Sequence, residues 1–109
     1  MSEYNPDSWV VFKITGVEEK DFYKVLAGWS GGYLDGDSWR INSGIVKVED
    51  DGDYWNFIGD SGSVYRCHKQ GEAMRMSMAP TWERLTAKFP ANVALVSVAE
   101  VITFLGDCK

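Results

Sequence analysis

The chain is poor in the residues that most often carry chemistry. Its 109 residues include one histidine and two cysteines, and no apolar run approaches the roughly 18 residues that a membrane-spanning helix needs. Cys67, His68 and Cys108 lack a fourth soft ligand and lack C-x-x-C or H-x-x-x-H spacing, so no structural metal is expected. The two cysteines lie 41 residues apart and are expected as reduced thiols in an intracellular protein. No Gly-Lys-Ser/Thr run is present, and Gly28, Gly31, Gly32 and Gly36 follow a helical pattern instead of opening one. A phosphate cradle, and with it a nucleotide cofactor, is therefore not expected. The segment Met1-Ser2-Glu3-Tyr4-Asn5-Pro6 has an acid where a signal peptide has a basic start and an apolar core. A soluble, cytoplasmic protein with no membrane association and no cofactor is the expectation.

What is present is acid and aromatic side chains, and they crowd together. Residues 1–60 hold twelve Asp and Glu against five Lys and Arg, whereas residues 61–109 hold four against six. The halves carry about −7 and +2, which sum to the overall −5. A negative field repels phosphate backbones and attracts basic protein patches. A chain of this length reads as one domain spanning residues 1–109, near the size where folding buries about 60 to 70 percent of the unfolded surface.

Periodicity gives an α+β chain. Val10, Phe12 and Ile14 alternate with Trp9, Val11 and Lys13, the period of an inner strand with both faces partly apolar. Thr15-Gly16-Val17-Glu18 reads as a capping box, and Phe22, Val25, Leu26 and Trp29 at i, i+3, i+4 and i+7 predict a helix over Glu18 to Trp29. From Ser38 to Glu49 the apolar parity slips around Asn42-Ser43-Gly44, which predicts a glycine bulge. Asp51-Gly52 predicts a tight hairpin returning through Tyr54 to Ile58. Gly59-Asp60-Ser61-Gly62 predicts a second turn, Ser63 to His68 a third strand, and Met74, Met76 and Met78 a further alternation. Pro80 opens a helix carrying Trp82, Leu85 and Phe89 on one face. Asn92 to Val96 is too short to assign, and Ser97-Val98-Ala99-Glu100 caps a last helix with Gly106 just past its end. The expected architecture is α+β, a mainly antiparallel sheet (a β-meander) with two or three helices packed on one face.

Three motifs invite chemistry and each has a plainer reading. Gly59-Asp60-Ser61-Gly62-Ser63 resembles the nucleophile loop of chymotrypsin-like serine proteases, which implies a histidine and an aspartate earlier in the chain. Here His68 comes after Ser61, so a Gly/Asp/Ser turn is the favoured reading. Cys67 and His68 are adjacent on a strand and point to opposite faces, with Tyr65 and Cys67 inward and Val64, Arg66 and His68 outward. Glu49, Asp50, Asp51, Asp53 and Asp60 suggest a calcium loop, but Tyr54 stands where that loop requires glycine. A solvated hairpin tip is expected there.

The aromatics exceed what periodicity assigns inward. Phe12, Phe22, Trp29, Trp82 and Phe89 are expected in the core, which leaves Tyr33, Trp39, Tyr54 and Trp55 with too little interior to share. Exposed Trp and Tyr anchor protein interfaces, and they stack on single-stranded bases only where Lys and Arg stand beside them; here the sequence neighbours are Asp35, Asp37, Asp51 and Asp53. The expected binding residues are Trp39, Asp50, Asp51, Asp53, Tyr54, Trp55 and Asp60, with no catalytic or metal-ligating residue. They describe a protein-binding module, as a monomer or homodimer, that docks on a host protein with a basic surface. The alternatives are a small hydrolase using Ser61 or Cys67 with His68, and a ligand- or single-strand-nucleic-acid-binding domain. Ser38-Trp39-Arg40-Ile41-Asn42-Ser43-Gly44-Ile45 and Ser61-Gly62-Ser63-Val64-Tyr65-Arg66-Cys67 resemble small bacteriophage-encoded proteins. That resemblance implies an inhibitor of a host defence protein acting by surface mimicry of negative charge.

Overall fold

The computed structural model describes residues 3–17, 20–32, 36–74 and 78–107. The chain runs β1 (Glu3–Tyr4), β2 (Ser8–Val17), β3 (Lys20–Gly32), β4 (Gly36–Ile41), β5 (Ile45–Asp51), β6 (Tyr54–Gly59), β7 (Val64–His68), a 3-10 turn (Lys69–Gly71), α1 (Ala79–Lys88), β8 (Val93–Val96) and α2 (Val98–Asp107). The strands form two four-stranded sheets, ordered β1-β7-β6-β5 and β4-β3-β2-β8. Every pairing is antiparallel except β1 with β7. The result is a mixed α+β fold, mainly antiparallel, in which β2-β3-β4 and β5-β6-β7 are both meanders.

The inner strand expected at Ser8 to Thr15 is β2, lying between β3 and β8 with both faces covered. On one face Trp9 and Val11 join Tyr23, Val25 and Ala27 of β3, and this layer packs with Phe57, Tyr65 and Cys67 of the other sheet. On the opposite face Val10, Phe12 and Leu26 pack with Met78, and Trp82 and Leu85 of α1 close over them. Trp82 meets Phe12 edge-on at 5.5 Å between ring centroids. α2 contributes Val98 and Val101 to the first cluster. The two helices thus belong to different clusters, and a placement on one face is not confirmed by them.

Trp9 ties the two sheets together through polar as well as apolar contact. Its indole N–H donates to the carbonyl of His68 at 2.7 Å, and its own carbonyl accepts the amide of Ala73 at 2.9 Å. The Ser97 hydroxyl accepts the Glu100 amide at 3.2 Å, the expected cap of the last helix. Glu100 does not reach back along the helix; its carboxylate accepts the Tyr23 hydroxyl at 3.1 Å.

Several expectations need correction. Lys20–Gly32 is a thirteen-residue strand, not a helix. Thr15 and Val17 belong to β2 instead of capping a helix, and Glu18 lies outside the described residues. The slip at Asn42-Ser43-Gly44 is a crossover between sheets, with β4 in one and β5 in the other. Val93–Val96 is a strand paired with β2. Gly106 lies within α2. Phe22 and Phe89 are 37% and 43% exposed and do not belong to the core. Arg75 to Ser77, Tyr33 and Cys108 lie outside the described residues, and with them much of the methionine alternation.

Candidate functional site

The expected hairpin forms as read. Asp51 pairs with Tyr54 across a two-residue loop, with Gly52 at φ +67°, a left-handed conformation that glycine adopts without strain. Its acids are largely paired with bases from β7, from the 3-10 turn that follows it and from β5 itself. Lys69 Nζ lies 2.7 Å from Asp50 Oδ1 and 4.4 Å from the Trp55 ring centre. Arg66 binds Asp51 and stacks over Tyr54 at 4.1 Å, and His68 meets the Tyr54 ring edge-on at 5.0 Å. Lys47 Nζ lies 3.2 Å from Glu49. The Arg66 guanidinium holds the Asp51 carboxyl below the usual carboxylate range, and Asp51 raises Arg66 in turn. All three pairs are solvent-exposed, so each adds little to stability. Their effect is to lower the field that the hairpin projects.

The seven expected binding residues fall in three places. Asp50, Asp51, Asp53, Tyr54 and Trp55 share the hairpin, with Tyr54 and Trp55 half-buried. Trp55 packs against the core between the sheets. Trp39 is on β4 in the other sheet, 46% exposed. Its neighbours in space are Ile41 of its own strand and Thr81, Arg84, Leu85 and Lys88 of α1. Asp60 stands in the β6–β7 turn, roughly 20 Å from the hairpin tip by strand rise.

That turn is fixed against the sheet crossover. The Asp60 amide donates to the Gly44 carbonyl at 2.8 Å, the Ser61 amide to Ser43 Oγ at 3.1 Å, and the Ser43 hydroxyl to Ser61 Oγ at 3.2 Å. Asp60 thereby lines a cavity of about 360 Å³. Phe22 and Tyr23 of β3, Ile45 and Val46 of β5, and Phe104 and Leu105 of α2 line it. The Tyr23 and Phe104 rings meet at a tilt of 48° with 4.7 Å between centroids, and the Lys13 ammonium lies 5.9 Å from the Tyr23 ring centre. Among the described residues Asp60 takes part in no ion pair. Sequence reasoning found Asp60 but missed these walls, because the helical reading of Glu18 to Trp29 hid the proximity of Phe22 and Tyr23 to α2.

The nucleophile candidates are not gathered. Ser61 bonds Ser43 and lies 3.4 Å from the Ser63 hydroxyl, whereas His68 is at the far end of β7, where Nδ1 accepts the Gln70 amide at 3.1 Å. Cys67 is buried and points between the sheets, and burial pushes its thiol well up from the ordinary range. Tyr65 beside it is raised for the same reason. Among the described residues no group of three His, Cys, Asp or Glu is placed to hold a metal ion. No described helix is long and apolar enough to cross a membrane.

No protein-family model, curated protein or solved structure matches this chain.

Proposed function

We propose that the chain is a protein-binding module for a partner with a basic surface, and that a lysine or arginine of that partner seats at Asp60. The observation that carries this is a carboxylate with no ion-pair partner among the described residues, lining a largely apolar cavity with aromatic walls. Lysine and arginine have an apolar stem and a cationic head. The stem fits among Phe22, Ile45, Val46 and Leu105, and the head meets Asp60, with aromatic faces adding cation–π attraction. Asp50 and Asp51 are already occupied by Lys69 and Arg66, so a new cation gains less from them than from Asp60. Asp53 at the hairpin tip is a second carboxylate with no ion-pair partner among the described residues. In its narrowest form the proposal is a phage-encoded inhibitor of a host defence protein, working in the cytoplasm by mimicry of negative charge.

The test is capture of a basic protein from bacterial lysate by the immobilised chain, with Asp60→Lys and the double variant Asp51→Lys with Asp53→Lys in parallel. Capture should disappear with Asp60→Lys and weaken steeply as salt is raised. Loss with the hairpin variant alone would move the contact to the tip. Capture undiminished by either variant would remove the proposal.

A further inference from the structure

The groove between β4 and α1 has the opposite character from the Asp60 cavity. Thr81, Arg84 and Lys88 fall at i, i+3 and i+7 of α1, one stripe of the helix facing Trp39 and Ile41. They enclose about 280 Å³ together with Leu85. Ile41 and Leu85 are anchored in the Phe12 cluster, so the floor is apolar and fixed. The Trp39 indole remains 46% exposed as one wall.

Charge decides the occupant. Arg84 and Lys88 are like charges at i, i+4, an arrangement that slightly destabilises a helix unless an anion lies between them. Among the described residues neither takes part in an ion pair, in a chain whose net charge is −5. Lys88 instead lies 5.6 Å from the Phe89 ring centre. Both bases sit toward the C-terminal end of α1, where the helix dipole repels anions. The two side chains, not the helix end, would therefore hold a negative group. Thr81 is 6% exposed, and among the described residues its hydroxyl has no hydrogen-bond partner, so a buried polar atom behind this wall of the groove is unsatisfied. The volume lies just below the usual range of small-molecule sites and is too small for a folded element.

We infer that this groove binds a small carboxylate with an aromatic or branched apolar body, the ring stacking on Trp39 and the carboxylate bridging Arg84 and Lys88. The binding is independent of the contact at Asp60.

The probe is 1-naphthoate, titrated to about 10 mM into isotopically labelled protein, a range that detects millimolar affinity. The indole N–H resonance of Trp39 and the amides of Arg84 and Lys88 should shift saturably. The neutral 1-naphthalenemethanol, and the double variant Arg84→Gln with Lys88→Gln, should each bind at least about tenfold more weakly. Trp39→Ala should also lose binding, while spectral dispersion confirms that the variants fold. No saturable shift at Trp39, or equal affinity for the alcohol, would overturn the inference. So would an acidic peptide outcompeting naphthoate at the same residues, or shifts there that follow protein concentration without ligand, which would assign the groove to a protein chain or a second copy.

Discussion

Asn42 grips the backbone of Val25 from both sides: its amide donates to the Val25 carbonyl at 3.1 Å, and its side-chain Oδ1 accepts the Val25 amide at 2.9 Å. Asn42 thereby completes the β4 edge of the ladder after the regular pairing of Leu26 with Ile41 has ended. The chain then leaves for the other sheet through Ser43 and Gly44, the latter at φ +139°. Asn42 is buried, and its Nδ2 has no hydrogen-bond partner among the described residues.

Asn42→Ala leaves the Val25 amide buried and unpaired, and is expected to cost about 1 to 3 kcal/mol in denaturant unfolding. Asn42→Asp keeps an acceptor but buries a carboxylate. Burial raises that carboxyl above its unfolded value, so the folded state takes up the proton first. The Asp variant should therefore be least stable at neutral pH and recover as pH falls through the raised value, a trend absent from the Ala variant. Identical pH dependence in the two would show that the side chain reaches solvent.

Trp9→Phe removes the indole N–H that binds His68 and leaves part of the inter-sheet core unfilled. The expected loss is about 2 to 4 kcal/mol, from an unsatisfied carbonyl together with a cavity. Equilibrium unfolding measures it. A loss below about 1 kcal/mol would mean that the sheets hold together without this contact.

The parts of the fold that were legible are those where one face is buried and a turn residue marks the end. The β5–β6 hairpin shows itself through Asp51-Gly52, β7 through Tyr65 and Cys67 alternating with Val64, Arg66 and His68, and α1 through Pro80 and the Trp82–Leu85 face. β3 was not legible because Tyr23, Val25 and Ala27 are buried on one side and Leu26 on the other. Burial on both faces erases period two and leaves apolar residues at a helical spacing by coincidence. The crossover at Asn42 looks like a bulge because both break parity, and only the pairing partners distinguish them. For the same reason Trp39 reads as a neighbour of aspartates in the sequence, while the fold sets it against Arg84 and Lys88. Which charges meet across sheets depends on register, and that was not recoverable from spacing.

Cys67 supplies a probe of the inter-sheet core. It is fully buried and its thiol is raised by desolvation, so both access and thiolate fraction are low in the folded chain. In a Cys108→Ser background, a thiol reagent at pH 8 should label Cys67 only as fast as the protein opens, with rapid labelling once denaturant unfolds it. Fast labelling without denaturant would place Cys67 at an accessible surface and would contradict the packing of β7 against β2.

Thr81, the third residue of α1, is buried, and among the described residues its hydroxyl has no hydrogen-bond partner. Thr81→Val replaces the hydroxyl by a methyl group of similar shape and removes an unmet polar atom. It should stabilise the protein by about 1 kcal/mol, moving the urea midpoint upward at unchanged slope. Thr81→Ser keeps the hydroxyl and deletes the methyl group, so it should lower stability by about 1 kcal/mol. Opposite signs for the two substitutions identify the hydroxyl as a liability that packing tolerates. If Val also destabilises, the hydroxyl is hydrogen-bonded in solution, and its removal costs that bond.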